Sequence, residues 1–173
     1  MLLCPIQDGS AFKLNWVRTK PRITQHFGLN PATYSSMGLK GHNGTDFGVP
    51  IGTPIYADMA GEVKWKDSGT KGYGLHVKIR NPYKCKESIF AHLSKVNVAN
   101  GTRINMGDLI GYSGSTGFST GPHLHYGHRM LKPGKKNKLF EWYVMDYNNG
   151  FKGYYDVIDF LVRWKGSLVK NTI

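Results

Sequence analysis

Two histidines separated by one residue, in His123-Leu124-His125, stand inside a strand-like run. Side chains on a strand alternate faces, so both imidazoles emerge on one side while Leu124, Tyr126 and His128 turn to the other. By that argument His128 belongs to packing despite its closeness. A second pair, His42 and Asp46, is four apart in Gly41-His42-Asn43-Gly44-Thr45-Asp46. The glycines argue against a helix and for a loop entering a strand, and a loop can bring an imidazole and a carboxylate to one metal ion. Two imidazole nitrogens and one carboxylate oxygen, with water in the fourth position, form the open coordination of a catalytic zinc site. His125 would complete such a set. Each pair alone recurs by chance in many proteins, and satisfied structural polar residues are the competing reading.

The elements that must carry these residues read as short strands. Runs at 22–27, 45–49, 61–66, 75–80, 88–92, 109–113 and 123–130 are separated by turn residues such as Asp67-Ser68-Gly69, Asn81-Pro82 and Asn100-Gly101. This pattern predicts an all-β, mainly antiparallel architecture with few short helices. Tyr154, Val157, Ile158 and Leu161 follow the i, i+3, i+4, i+7 spacing of an amphipathic helix near the C-terminus. The segment Lys132-Pro133-Gly134-Lys135-Lys136-Asn137-Lys138 reads as a basic turn between two strand-like segments.

A chain of 173 residues allows one domain with a real core. At 40% hydrophobic and 13% aromatic it is not a mainly disordered chain, and no apolar run is long enough for a membrane-spanning helix. The first residues have neither a basic n-region nor a long apolar stretch, so no signal peptide is expected. Cys4 and Cys85 do not make a disulfide framework and read as two ordinary thiols, although one bridge between them is possible. The formal net charge of +12 favours an anionic partner, whether nucleic acid, a membrane surface or a cell wall.

The surroundings of both histidine pairs are more specific than the pairs. Ile23-Thr24-Gln25-His26-Phe27-Gly28, then GHNGTDFGVPIGTPIYA (41–57), GEV (61–63), GYGLHVKI (72–79), AHLS (91–94) and GDLIGYSGSTGFSTGPHLHY (107–126), occur in order and with compatible spacing. Here the chain resembles the LytM/lysostaphin-type zinc metallopeptidases, peptidase family M23, over about residues 20 to 130. The resemblance implies antiparallel sheets forming a groove. It implies that His42, Asp46 and His125 bind Zn2+ and that His92 and His123 are the two catalytic imidazoles. It assigns no ligand to His26 or His76, which are expected to be structural or at the surface. Tyr155–Leu161 looks similar to the aromatic-Leu ending of the family's domain. The expected organisation is therefore a lead-in segment at 1–20, a peptidase domain at 21–164 and a tail at 165–173. Residues 129–153 form a basic, aromatic-rich elaboration, with no room for a separate wall-binding domain.

The implied activity is hydrolysis of peptide bonds in the cross-links or stem peptides of bacterial peptidoglycan. Zinc lowers the pKa of water and polarises a carbonyl, and a histidine near neutrality can protonate the leaving amine. Two positions depart from the family pattern. Asn43 stands where an aromatic is frequent, and Gly127, on the face of His123 and His125, is expected to open space at the site. The positive charge fits teichoic acids or lipopolysaccharide, an attraction that salt screens. The expected setting is a monomeric phage endolysin, made in the host cytoplasm and released by a holin to act on the wall. A virion-associated lysin or an exported autolysin is the near alternative. A metal-free LytM-type activator would lack ligands that are all present here, and a nucleic-acid-binding protein finds no supporting motif.

Overall fold

The computed structural model describes residues 16–136 and 139–158. The strands are β1 (Arg22–Gln25), β2 (Thr45–Gly48), β3 (Pro54–Tyr56), β4 (Gly61–Asp67), β5 (Leu75–Asn81), β6 (Lys86–Ala91) and β7 (Leu93–Val96), followed by β8 (Arg103–Ile104), β9 (Leu109–Ser113), β10 (Leu124–Lys136), β11 (Leu139–Val144) and β12 (Tyr154–Tyr155). A short helix, α1 (Pro31–Tyr34), leads into a 3-10 turn at Ser35–Met37. The large sheet runs β1-β2-β10-β6-β5-β4-β8, and β11 and β12 pair with other parts of the long β10. A small sheet, β3-β9-β7, packs beside it, and the pairings in both sheets are antiparallel. This is the all-β, mainly antiparallel architecture expected from the short strand-like runs.

The strand β10 carries the logic of the fold. Leu124, Tyr126 and His128 face the core, where Leu124 lies opposite Phe47 and Tyr126 opposite Phe90. His125, Gly127 and Arg129 face the other way, opposite Ala91, Ile89 and Glu87 of β6. Both faces of β6 are covered, which explains why nearly every one of its residues is buried. The principal core gathers Phe47, Val63, Val77, Ile79, Phe90, Leu124 and Tyr126, and Trp16 is fully buried within it. The Trp16 ring meets Phe47 edge-on at 4.8 Å and Tyr126 at 5.5 Å.

Two buried acids hold the sheet from within. On the core side, the Asp58 carboxylate accepts hydrogen bonds from Ser88 Oγ and Tyr126 Oη, each at 2.9 Å, and lies 2.9 Å from His128 Nε2. On the opposite face, Glu87 accepts from Arg80 at 2.6 and 3.0 Å and from Arg129 Nε at 2.8 Å. Burial alone would raise both carboxyls. His128 chiefly holds Asp58 below its ordinary value, and Arg129 and Arg80 do so for Glu87.

Three expectations are corrected. Tyr154 is not the start of a helix: it pairs with Arg129 as β12 and is buried against Ile89 and Ala91. In this segment helical backbone begins at Val157, and Leu161 lies outside the described residues. Packing of Tyr154 on the sheet has overridden the helical spacing. Lys132–Lys136 is not a turn but the far half of β10, paired with β11 in register from Leu131↔Val144 to Lys136↔Leu139. Cys85 is disulfide-bonded rather than a free thiol, and Cys4, the chain's other cysteine, lies outside the described residues.

Removing the buried indole by Trp16→Ala should destabilise the fold by about 3–5 kcal/mol, read as a lower urea midpoint. The pH dependence has a defined sign. Asp58 and Glu87 have folded pKa values below their ordinary 3.8 and 4.5. Their stabilisation is therefore fully present above those values and is lost as pH falls through and below them. Urea midpoints measured from pH 6 to pH 3 should fall, and Glu87→Gln should flatten the fall.

Candidate metal centre

The register of β2 against β10 places Asp46 directly opposite His125. Ala91, on the other side of His125, is small enough to leave the imidazole room. His42 arrives from the loop before β2, and its backbone N–H donates to Leu29 O at 2.9 Å while its own carbonyl accepts from Gly28 N at 2.8 Å. The three donor atoms form a nearly equilateral triangle. His42 Nε2 lies 2.9 Å from His125 Nδ1 and 3.1 Å from Asp46 Oδ1, and His125 Nδ1 lies 3.0 Å from the same oxygen. All three residues are buried.

A hydrogen bond behind the triangle fixes one proton. His42 Nδ1 lies 3.2 Å from His26 O. A carbonyl only accepts, so Nδ1 bears a hydrogen and Nε2 is the nitrogen that faces the triangle. Burial pushes the His125 pKa down, against the pull of Asp46. Burial would raise the Asp46 carboxyl, but His125 and His42 hold it well below its ordinary value. His42 Nε2, His125 Nδ1 and the Asp46 carboxylate thus converge on one point, an arrangement that a cation at the centre would stabilise. Tetrahedral zinc with ligands at about 2.0–2.2 Å requires donor atoms about 3.3–3.6 Å apart, a few tenths of an ångström beyond the edges seen here. The donor set fits Zn2+ in both chemistry and size.

Two more imidazoles stand beside the triangle. His123 Nδ1–H donates to Gly121 O at 2.8 Å, and His123 Nε2 lies 3.5 Å from Asp46 Oδ2. His92 Nδ1–H donates to Thr116 O at 2.7 Å. The two rings are 4.7 Å apart, and His92 is 5.8 Å from the His125 ring. His92 sits between β6 and β7, where the chain leaves the large sheet for the small one, and its φ of 61° is left-handed. Such a backbone costs a non-glycine residue of the order of 1 kcal/mol and persists where the surroundings impose it. Burial, then the neighbouring His125 and His123, bring the His92 pKa down to about 4, so the ring is neutral at pH 7. All of these residues line one cleft of about 720 Å³, walled by Tyr34, Tyr73 and Phe118 among others.

The structure thus brings together all five residues singled out from the sequence. His26 is exposed and contributes its backbone carbonyl, and His76 is buried with Nδ1 2.9 Å from Gly74 O. His128 lies on the core side with Asp58, as strand alternation requires. Asn43 is buried and donates to Tyr73 Oη at 2.6 Å, and the Tyr73 ring lies 5.2 Å from His125. Gly127 does not open the site, because the space over it is taken by the Tyr154 ring, Ile89 and the Asn43 carbonyl. The carbonyls of His26, Thr116 and Gly121 carry no signal in the sequence, since every residue has one and only the fold aims it.

Comparison with known proteins decides the family. Residues 40–140, more than half of the chain, match peptidase family M23. The chain belongs to this family. It is 39% identical over 120 residues to the peptidoglycan DD-endopeptidase ShyA of Vibrio cholerae, which covers 67% of this chain and 26% of ShyA. This M23 chain thus spans about a quarter of the length of the curated relatives it matches. Among solved structures, the catalytic domain of lysostaphin from Staphylococcus simulans superposes with a TM-score of 0.61 at 28% identity, over 82% of this chain and 92% of that one. A zinc-containing peptidase from Vibrio cholerae gives 0.57 at 32% identity, over 68% and 36% of the respective chains.

The closest constraint on the triangle is a glycine. A Cβ on Gly44 would fall on Cε1 and Nε2 of the His125 ring, inside any permitted contact, with the Tyr126 carbonyl close behind. Gly44→Ala should therefore turn His125 out of the triangle. Metal content after zinc loading, measured by elemental analysis, should drop from about one equivalent to a small fraction of it, with the β-sheet circular dichroism retained.

Proposed function

We propose that this M23 domain is a zinc-dependent endopeptidase of bacterial peptidoglycan, with His42, Asp46 and His125 as metal ligands and His92 and His123 as catalytic imidazoles. The observation that carries the reading is the buried donor triangle with two further imidazoles opening onto the same cleft. When bound, zinc supplies the Lewis acidity that polarises a carbonyl and acidifies water. The chain's own residues do the rest. Both Nδ1–H groups are tied to backbone carbonyls, so His92 and His123 present Nε2 to the cleft in one tautomer. One Nε2 takes the proton of the attacking water as its oxygen bonds to the scissile carbonyl carbon. That proton then passes to the amine nitrogen as the C–N bond breaks, which leaves a new carboxylate and a new amine. The charge of +12 supports attraction to anionic wall polymers or lipopolysaccharide. The finer setting is a monomeric phage endolysin, which a holin gene beside this one would support. A virion-associated lysin or an autolysin would use the same chemistry.

The test is digestion of purified peptidoglycan with and without a chelator, followed by mass spectrometry of the fragments. New amine and carboxyl ends should appear, vanish with the chelator and return with added zinc. His123→Ala and His92→Ala should each lower turnover by about 10²–10⁴-fold while zinc stays bound. His42→Ala should lose the metal. Chelator-insensitive cleavage, or release of sugar reducing ends alone, would refute the assignment.

A further inference from the structure

The charge along the cleft is one-sided. Apart from the imidazoles, its charged lining residues are Asp46, already committed to the triangle, and two lysines, Lys71 and Lys152. Among the described residues neither lysine ammonium is engaged in an ion pair. The carboxylate nearest to Lys71 along its loop, Asp67, accepts from Gly69 N at 2.8 Å.

Both lysines stand on loops that the structure pins down. Lys71 lies in the β4–β5 loop, where its N–H donates to Ser68 O at 3.2 Å and its carbonyl accepts from Gly74 N at 3.1 Å. The same loop is tied across the cleft wall by Phe118 N donating to Gly72 O at 2.8 Å. Lys152 comes from the β11–β12 connection. It adopts a left-handed φ of 55°, its carbonyl accepts from Arg129 at 3.4 Å, and Asn149 Oδ1 holds both Phe151 N and Gly153 N. The neighbouring Phe151 ring packs on Phe27 at 4.5 Å. A lysine in a left-handed backbone is a costly choice where glycine or asparagine would serve. The elaboration at 129–153 thus folds back along β10 and brings Lys152 to the wall of the cleft.

We propose that Lys71 and Lys152 make this cleft select peptides carrying a free carboxylate beside the scissile amide. The favoured substrates are then the acidic stem-peptide cross-links of peptidoglycan rather than uncharged glycine bridges. This rests on the peptidase reading above. A partly enclosed cleft with two unpaired ammonium groups attracts an anion and gives no advantage to a neutral bridge, and a carboxylate adjoining the cut bond would meet them during binding.

The experiment uses two soluble cross-linked muropeptides that differ in one group, the carboxyl of diaminopimelate being free in one and amidated in the other. A pentaglycine-bridged muropeptide is the third substrate. The zinc-loaded wild type should show a kcat/KM about tenfold higher for the free carboxylate than for the amide, carried mainly by KM, as two modest charge contacts combine. Lys71→Gln with Lys152→Gln should abolish the preference, and Lys71→Arg with Lys152→Arg should keep it, with zinc content equal in all three proteins. Equal rates on both forms, a preference that survives the double glutamine variant, or faster cleavage of the pentaglycine bridge would overturn the proposal alone. Failure to cut any of the three would overturn the peptidase reading, and this proposal with it.

Discussion

The structure depends on one cross-strand pair, Asp46 of β2 against His125 of β10. An ionised carboxylate and an imidazole, both buried and 3.0 Å apart, hold only if the two strands keep their register. A slip of either strand by one residue would turn its own site residue into the core and bring Phe47 or Tyr126 out. The core contacts and the site geometry are therefore one constraint: Phe47, Trp16 and Tyr126 interlock on one face so that Asp46 and His125 meet on the other.

The remaining site residues are attached to that pair by different means. His123 follows from strand alternation, two residues before His125. His42 is delivered by a glycine-flanked loop whose backbone is bonded to the Gly28–Leu29 segment. His92 is placed by a strained turn between two sheets, and that strain is borne by the packing on either side. Backbone carbonyls then set the tautomers of His42, His92 and His123, so the protons in the site are arranged by the fold rather than by further titratable side chains.

The region after Arg129 shows how local signals fail when a strand is longer than its hydrophobic pattern. Lys132, Lys135, Lys136 and Pro133-Gly134 carry turn chemistry, yet they continue β10, each opposite a residue of β11. Tyr154 has helical spacing with Val157 and Ile158, yet it fills the space over Gly127 and Ile89. In both cases the deciding contact is with a residue distant in sequence, which no local window contains.

The all-β class, the strands that line the core, the shared face of His123 and His125 and the turning of His128 to the opposite face were legible from the sequence alone. They follow from a two-residue period that acts within a strand. The family motifs singled out His42, Asp46 and His92 but could not say how they meet. Only the tertiary structure decided that Asp46 faces His125, that Gly127 is covered rather than open, that Cys85 is bonded, and that Lys152 returns to the cleft. Each of these is a matter of register or of packing between distant segments, and such contacts are set by the whole chain folding at once.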